Sequence, residues 1–186
     1  MQTLNLAHSV ILDPESDSAP VVVVYGGLYG WEGAWLIPRI PMDLKKNVIF
    51  VLPTHYTNNC ALCLKELRAT ISPDKISSYS LCGYSRGGIN VFKYLTLVDW
   101  KILGLIDPSS PRTGGFQDTV LDGVKSKIRC VYRMANWSKA DYFPKIASFH
   151  QHLRDLKVKM VDDSNTAHDK MPNFFFETYR SDLVTA

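Results

Sequence analysis

The segment Gly83-Tyr84-Ser85-Arg86-Gly87-Gly88 has the clearest chemical meaning in the chain. It fits the pattern G-x-S-x-G. A serine hydroxyl is a weak nucleophile at neutral pH and needs a backbone that presents it and a base that takes its proton. The pattern supplies the first need. The apolar run from Ile76 to Cys82 reads as a strand and the stretch from Gly87 to Asp99 as a helix. A sharp turn between them strains the serine backbone and holds Oγ out at the top of a sheet. Side chains at the glycine positions would collide with neighbouring backbone. The helix start offers free N–H groups and a positive dipole end to developing negative charge. A chance match in a Gly/Ser-rich turn is the bland alternative, and the strand before, the helix after and the extra Gly88 weigh against it.

The rest of the chain alternates short β-branched runs with helical patterns, which predicts an α/β fold with a mostly parallel sheet covered on both faces, a three-layer α/β/α sandwich. Strands are expected at Val21–Tyr25, Asn47–Leu52, Ile76–Cys82, Ile102–Ile106, Ile128–Met134 and Val158–Val161. Asn58 or Asn59 can cap a helix through Leu62, Leu64 and Leu67 that ends before Pro73. Further helices are expected over Gly87–Asp99, Tyr142–Leu156 and Met171–Leu183, and one or two antiparallel edge strands over Thr3–Leu12. Two stretches break the rhythm. Leu28–Lys46 reads as a loop with a short helix, and Pro108–Lys127 is a connection long enough to suggest a function. The length, 186 residues, predicts one domain spanning 1–186.

With these motifs the chain resembles the α/β-hydrolase family over nearly its whole length. Tyr25-Gly26-Gly27-Leu28 is similar to the family's oxyanion loop, with Tyr25 where a histidine often stands. The resemblance implies an oxyanion hole made by the backbone N–H of Arg86 and that of Gly27 or Leu28. It also implies the order serine, acid, histidine. Of five histidines, His8 and His55 precede the nucleophile and His150 and His152 lie in a helical pattern. His168, in the polar stretch after the last strand, is the expected base. Two acids compete. Asp141, in Asp141-Tyr-Phe-Pro144, looks like the family's acid-then-proline turn into a helix and is favoured. Asp107, one strand earlier and followed by Pro108, is the alternative, with a strand-end turn as its plainer role. Asp162 and Asp163 lie too close to His168 in sequence to orient it easily.

The implied chemistry is ester or related acyl cleavage through an acyl-enzyme, with no metal and no cofactor. Family members often insert a lid where this chain has only Pro108–Lys127. That short cover predicts an open site for small esters or for acyl groups projecting from a surface. Tyr29, Trp31 and Trp137 are candidates to line an acyl pocket, with core filling as the alternative. Two other readings stay open: a binding protein that keeps the fold without catalysis, and an acyltransferase.

Composition narrows the partners. Hydrophobic residues make up 46% and charged residues 21%, with a net charge of +3 and no basic run, so nucleic acid is not an expected partner. No apolar run approaches the ~20 residues needed to span a bilayer, and the N-terminus lacks a basic region, which argues against a signal peptide. Four cysteines fit a reduced, cytoplasmic protein. Cys60 and Cys63 form a lone C-x-x-C whose apolar neighbours recur at helical spacing, better read as two core cysteines than as a metal or redox site. Oligomeric state is left open.

Overall fold

The structure, a computed structural model, describes residues 1–27, 33–54, 59–109, 118–134 and 143–186. Its centre is an eight-stranded sheet: β1 (Gln2–Asn5), β2 (Ser9–Asp13), β3 (Ala19–Tyr25), β4 (Ile49–Pro53), β5 (Ile76–Tyr84), β6 (Trp100–Ile106), β7 (Ile128–Tyr132) and β8 (Lys159–Asp162). They lie in the order β1-β2-β4-β3-β5-β6-β7-β8. β1 and β2 pair antiparallel at one edge, and β4 through β8 run parallel with β3 among them. The helices are α1 (Met42–Lys45), α2 (Cys60–Thr70), α3 (Gly88–Lys93), α4 (Asp118–Val124), α5 (Phe143–Asp155), α6 (Met171–Thr178) and α7 (Arg180–Val184).

Alternation along the strands builds two cores. In β3, Val21 and Val23 face the side covered by α2, α3 and α5, where Cys63, Leu67, Val91 and Leu153 pack. Val22 and Val24 face the other side, against Leu44 of α1, Phe175 and Phe176 of α6 and Leu183 of α7. All four valines are 0% exposed, and each such side chain stabilises the fold by about 1.5–3 kcal/mol. A strand buried on both faces has no polar side to show, which is why the run reads as unbroken valine.

Asn59 is the residue that caps α2, its side chain accepting from the N–H groups of Ala61 and Leu62. Cys60 and Cys63 are buried free thiols on this helix. Burial pushes them up to about 11 and about 12. Two helices are shorter than their sequence patterns. After Lys93 the chain turns, and the Trp100 indole N–H donates to the Tyr94 carbonyl at 2.8 Å. That bond takes an acceptor a continuing helix would use and leads into β6. The closing helix splits at Tyr179 (φ −110°, ψ 23°), whose hydroxyl donates to the carbonyls of Cys130 and Lys159. Anchoring that hydroxyl under β7 and β8 sets the bend between α6 and α7. Among the described residues no helix is long and apolar enough to cross a membrane.

The chain leaves β3 on one side for β4 and returns on the other for β5. Such a switch point opens a crevice at the carboxyl ends of the strands. Gly26 and Gly27 follow β3 there, and Ser85 follows β5.

Candidate active site

Ser85 follows β5 directly, with φ 54°, a left-handed conformation unusual for a non-glycine residue. A 3-10 turn, Ser85–Gly87, leads into α3. The turn is tight enough to forbid side chains beside it. A Cβ on Gly83 would stand 2.2 Å from the Gly87 carbonyl oxygen, and one on Gly87 would stand 2.3 Å from that of Gly26. The second contact shows that the elbow and the loop after β3 touch backbone to backbone. A Cβ on Gly27 would lie 3.3 Å from the Ser85 Cβ, so the segment matched to an oxyanion loop runs directly beside the serine. Leu28 lies outside the described residues, as do Tyr29, Trp31, Trp137 and Asp141.

The turn after β6 closes the other side. The Ser109 N–H donates to the Ser85 carbonyl at 3.3 Å. Asp107, at φ 42° and 0% exposed, directs its carboxylate toward the polar loop after β8. There His168 Nδ1 lies 2.5 Å from Asp107 Oδ2. Asp107, the alternative acid of the sequence reading, thus meets His168, whereas Asp141, the favoured one, lies outside the described residues. The φ of Asp107 turns its side chain across the end of β7 to reach His168 beyond.

His168 is held from its own side as well. The Asp163 carboxylate accepts from the N–H groups of Asn165 and Thr166 and from the Thr166 hydroxyl at 2.6 Å, which shapes the loop before it. The Tyr84 hydroxyl donates to the His168 carbonyl at 3.0 Å, and the two rings lie 4.7 Å apart. Trp35 stacks on Tyr84 at 5.5 Å, and the Arg39 guanidinium sits 3.5 Å over Trp35 while its Nε–H donates to the Asp169 carbonyl. This tier carries the histidine backbone on the sheet.

Arg133 completes the surroundings of the acid. Its Nε–H donates to Asp107 Oδ2 at 2.6 Å and its backbone N–H to Oδ1 at 3.1 Å. Burial alone would raise the Asp107 carboxyl. The hydrogen bonds and positive charge brought by His168 and Arg133 outweigh it and hold the carboxyl below its usual value. An ionised Asp107 favours the His168 tautomer with the proton on Nδ1, which makes Nε2 the basic nitrogen. Ser85 is buried at 4% exposure, and the His168 side chain is 34% exposed.

The sequence reading missed Tyr84 and Arg133. Tyr84 is a variable position of the G-x-S-x-G pattern. Its signal is alternation along β5: the side chain before the serine must point into the face that α6 covers. Arg133 carries a fainter signal, a cation ending an apolar strand that pairs with the strand of Asp107.

The chain matches no protein-family model and no curated protein by sequence. Solved structures resemble it throughout. Est1E from Butyrivibrio proteoclasticus superimposes with a TM-score of 0.66 at 10% identity, covering 100% of this chain and 99% of that one. XC6422 from Xanthomonas campestris, an α/β serine hydrolase without a lid, gives 0.62 at 13% identity over 98% and 94% of the two chains. A thioesterase domain from the curacin biosynthetic pathway gives 0.61 at 12% identity over 100% and 98%. Sheet order, crossover pattern and these likenesses together establish that the chain has the α/β-hydrolase fold.

Proposed function

We propose that the protein is a serine hydrolase that cleaves an ester or related acyl bond through an acyl-enzyme on Ser85. One observation carries the reading: a histidine bonded at 2.5 Å to a fully buried carboxylate, at the same end of the sheet as a serine held at φ 54°. In this mechanism Ser85 Oγ attacks the carbonyl carbon and His168 Nε2 takes its proton. Asp107 holds the tautomer and stabilises the imidazolium without accepting the proton. The backbone N–H of Arg86 and that of Gly27 or Leu28 receive the oxyanion, each such donor being worth about 3–4 kcal/mol in the transition state. His168 then protonates the leaving group, and water attacks the acyl-enzyme with the same histidine as base. The esterase and thioesterase neighbours support acyl chemistry at the level of the fold.

Small esters, free or displayed on a surface, are the proposed substrates. The connection from 108 to 127 is short. A deep tunnel gains about 0.8 kcal/mol for each CH₂ taken out of water, and a shallow cover stops collecting that gain after a few carbons. Hydrolysis of p-nitrophenyl esters tests the proposal. The expected result is a kcat/KM that peaks between acetate and hexanoate and vanishes in Ser85→Ala. Turnover that survives in a folded Ser85→Ala contradicts the mechanism, and a preference for decanoate contradicts the shallow site. Product analysis with competing alcohols or amines separates hydrolysis from acyl transfer.

A further inference from the structure

The Asp107 carboxylate is shared in an unequal way. Oδ2 takes both the imidazole Nδ1, at 2.5 Å, and the Arg133 Nε, at 2.6 Å, while Oδ1 takes the Arg133 backbone N–H. One oxygen therefore serves two cationic partners whenever His168 is protonated. The Arg133 side chain is 12% exposed and Asp107 is 0% exposed, so water does little to screen them. A carboxylate with only the imidazolium beside it forms a neutral pair. With Arg133 added, the trio carries one net positive charge at the moment His168 holds the proton.

We propose that Arg133 is a positioning residue of the triad: it clamps the Asp107 carboxylate and, by its charge, opposes protonation of His168, extending activity to lower pH. The inference rests on the serine-hydrolase reading above. Among the described residues, the other groups around the pair do not supply this charge. Tyr84 of β5 and Cys130 of β7 are neutral, their burial pushing both groups up. His150 of α5 is pushed down to about 4 by burial and is neutral at the same working pH. Asp162, at the end of β8, accepts from the Met134 N–H. Arg39 and Asp169 lie near Tyr84, and the Arg39 Nε–H bonds to the Asp169 carbonyl.

The sign follows from charge. His168 works as a base only when neutral, so the acidic limb of kcat/KM reports its titration in the free enzyme. A cation bonded to the same oxygen opposes the placing of a second positive charge on the imidazole. Loss of a unit charge at roughly 5 Å with an effective dielectric of about 20 is large enough to move the limb by about two pH units. Removing the charge must move the limb upward.

The test is kcat/KM against pH for the wild type, Arg133→Gln, Arg133→Met and Arg133→Lys, with the His168 imidazole titrated by NMR in a Ser85→Ala background. Both neutral variants are expected to raise the limb and the NMR midpoint by about one unit or more, while Arg133→Lys keeps them within about 0.3 unit. A limb that stays in place in a folded neutral variant overturns the proposal, as does one that moves equally in Arg133→Lys. A purely structural clamp would lower the plateau in every variant and leave the limb where it was. Should both neutral variants fail to fold, Arg133→Lys decides: a shift of a full unit with the charge retained contradicts the inference. A wild type that turns over no ester defeats the hydrolase reading itself, whereas a normal wild-type limb that ignores Arg133 defeats only this one.

Discussion

Two histidines lie within the field of Asp107, and the molecule treats them in opposite ways. His168 sits at the mouth of the crevice, a third exposed, with Nδ1 on the carboxylate. His150 lies behind the same carboxylate on α5, 0% exposed, with its ring 4.3 Å from that of Tyr132. Neither of its ring nitrogens makes a hydrogen bond of ordinary geometry. Burial drives its titration down to about 4. The pull of Asp107 only partly offsets this, Arg154 adds to it, and the Pro108 backbone opposes it weakly. A shared acid thus does not make a base. A base needs a bonded partner to fix one nitrogen and an open path to the other, and His150 has neither.

The largest effect expected from breaking this contrast is in turnover. His168→Ala should lose activity by about 10⁴–10⁶-fold, as should Ser85→Ala, and the double variant should be little worse because the two act as a unit. His150→Leu should stay within about threefold of wild type, since no step uses its ring. Ester hydrolysis by the purified variants reads both. A His150→Leu enzyme as dead as His168→Ala would erase the distinction.

The carboxylate comes next. Asp107→Asn keeps the shape but removes the charge and favours the wrong imidazole tautomer, a change that costs on the order of 10⁴ in kcat in a well-studied triad. Asp141→Asn should cost no more than a few-fold. The reverse ranking would move the acid to the later position.

Stability against pH sharpens the comparison from the other histidine. The folded-state titration of His150, about 4, lies below the ordinary 6.5. Between those values the unfolded chain binds a proton that the folded chain refuses. The stability that neutral His150 contributes is therefore complete above about 6.5 and is lost as pH falls toward 4, by up to about 3 kcal/mol. Asp107 is also depressed, so its contribution fades only below the ordinary carboxylate range of about 3.9. Urea melts from pH 7 to 4 should show this slope in the wild type and a shallower one in His150→Leu. At pH 7 the leucine variant should be as stable or more so, because an unbonded buried polar group is costly. Equal slopes in the two proteins would remove His150 as the source.

Tyr84→Phe should have the smallest effect. It deletes one hydrogen bond to the His168 carbonyl, about 1 kcal/mol, and leaves the ring contact. A kcat/KM loss of roughly fivefold is expected, and a loss above a hundredfold would show that the hydroxyl does more than support the backbone.

These contrasts also mark what the sequence made legible. The Val21–Val24 run, the strand before Gly83 and the glycines around Ser85 are local signals with local causes, and the strands formed where they indicate. The chain order singled out His168, and the structure sets that residue against a buried carboxylate. The contact of Asp107 with the histidine loop was not legible, because it depends on a strand end reaching across β7, a distance no spacing encodes. The helix pattern over Gly87–Asp99 ran past its true end for a similar reason: the stop at Lys93 is set by the Trp100 indole, seven residues on. His150 read correctly as a helical histidine, but its complete burial comes from Tyr132 and Phe149 packed around it.

The most direct test of the account is covalent labelling of Ser85 by a fluorophosphonate, located by peptide mass spectrometry and timed in the wild type, His168→Ala, Asp107→Asn and His150→Leu. The account predicts rapid labelling on Ser85 in the wild type and in His150→Leu, and labelling slowed by orders of magnitude in the other two. Label on another residue, no label in the wild type, or equal rates with and without His168 and Asp107 would contradict it.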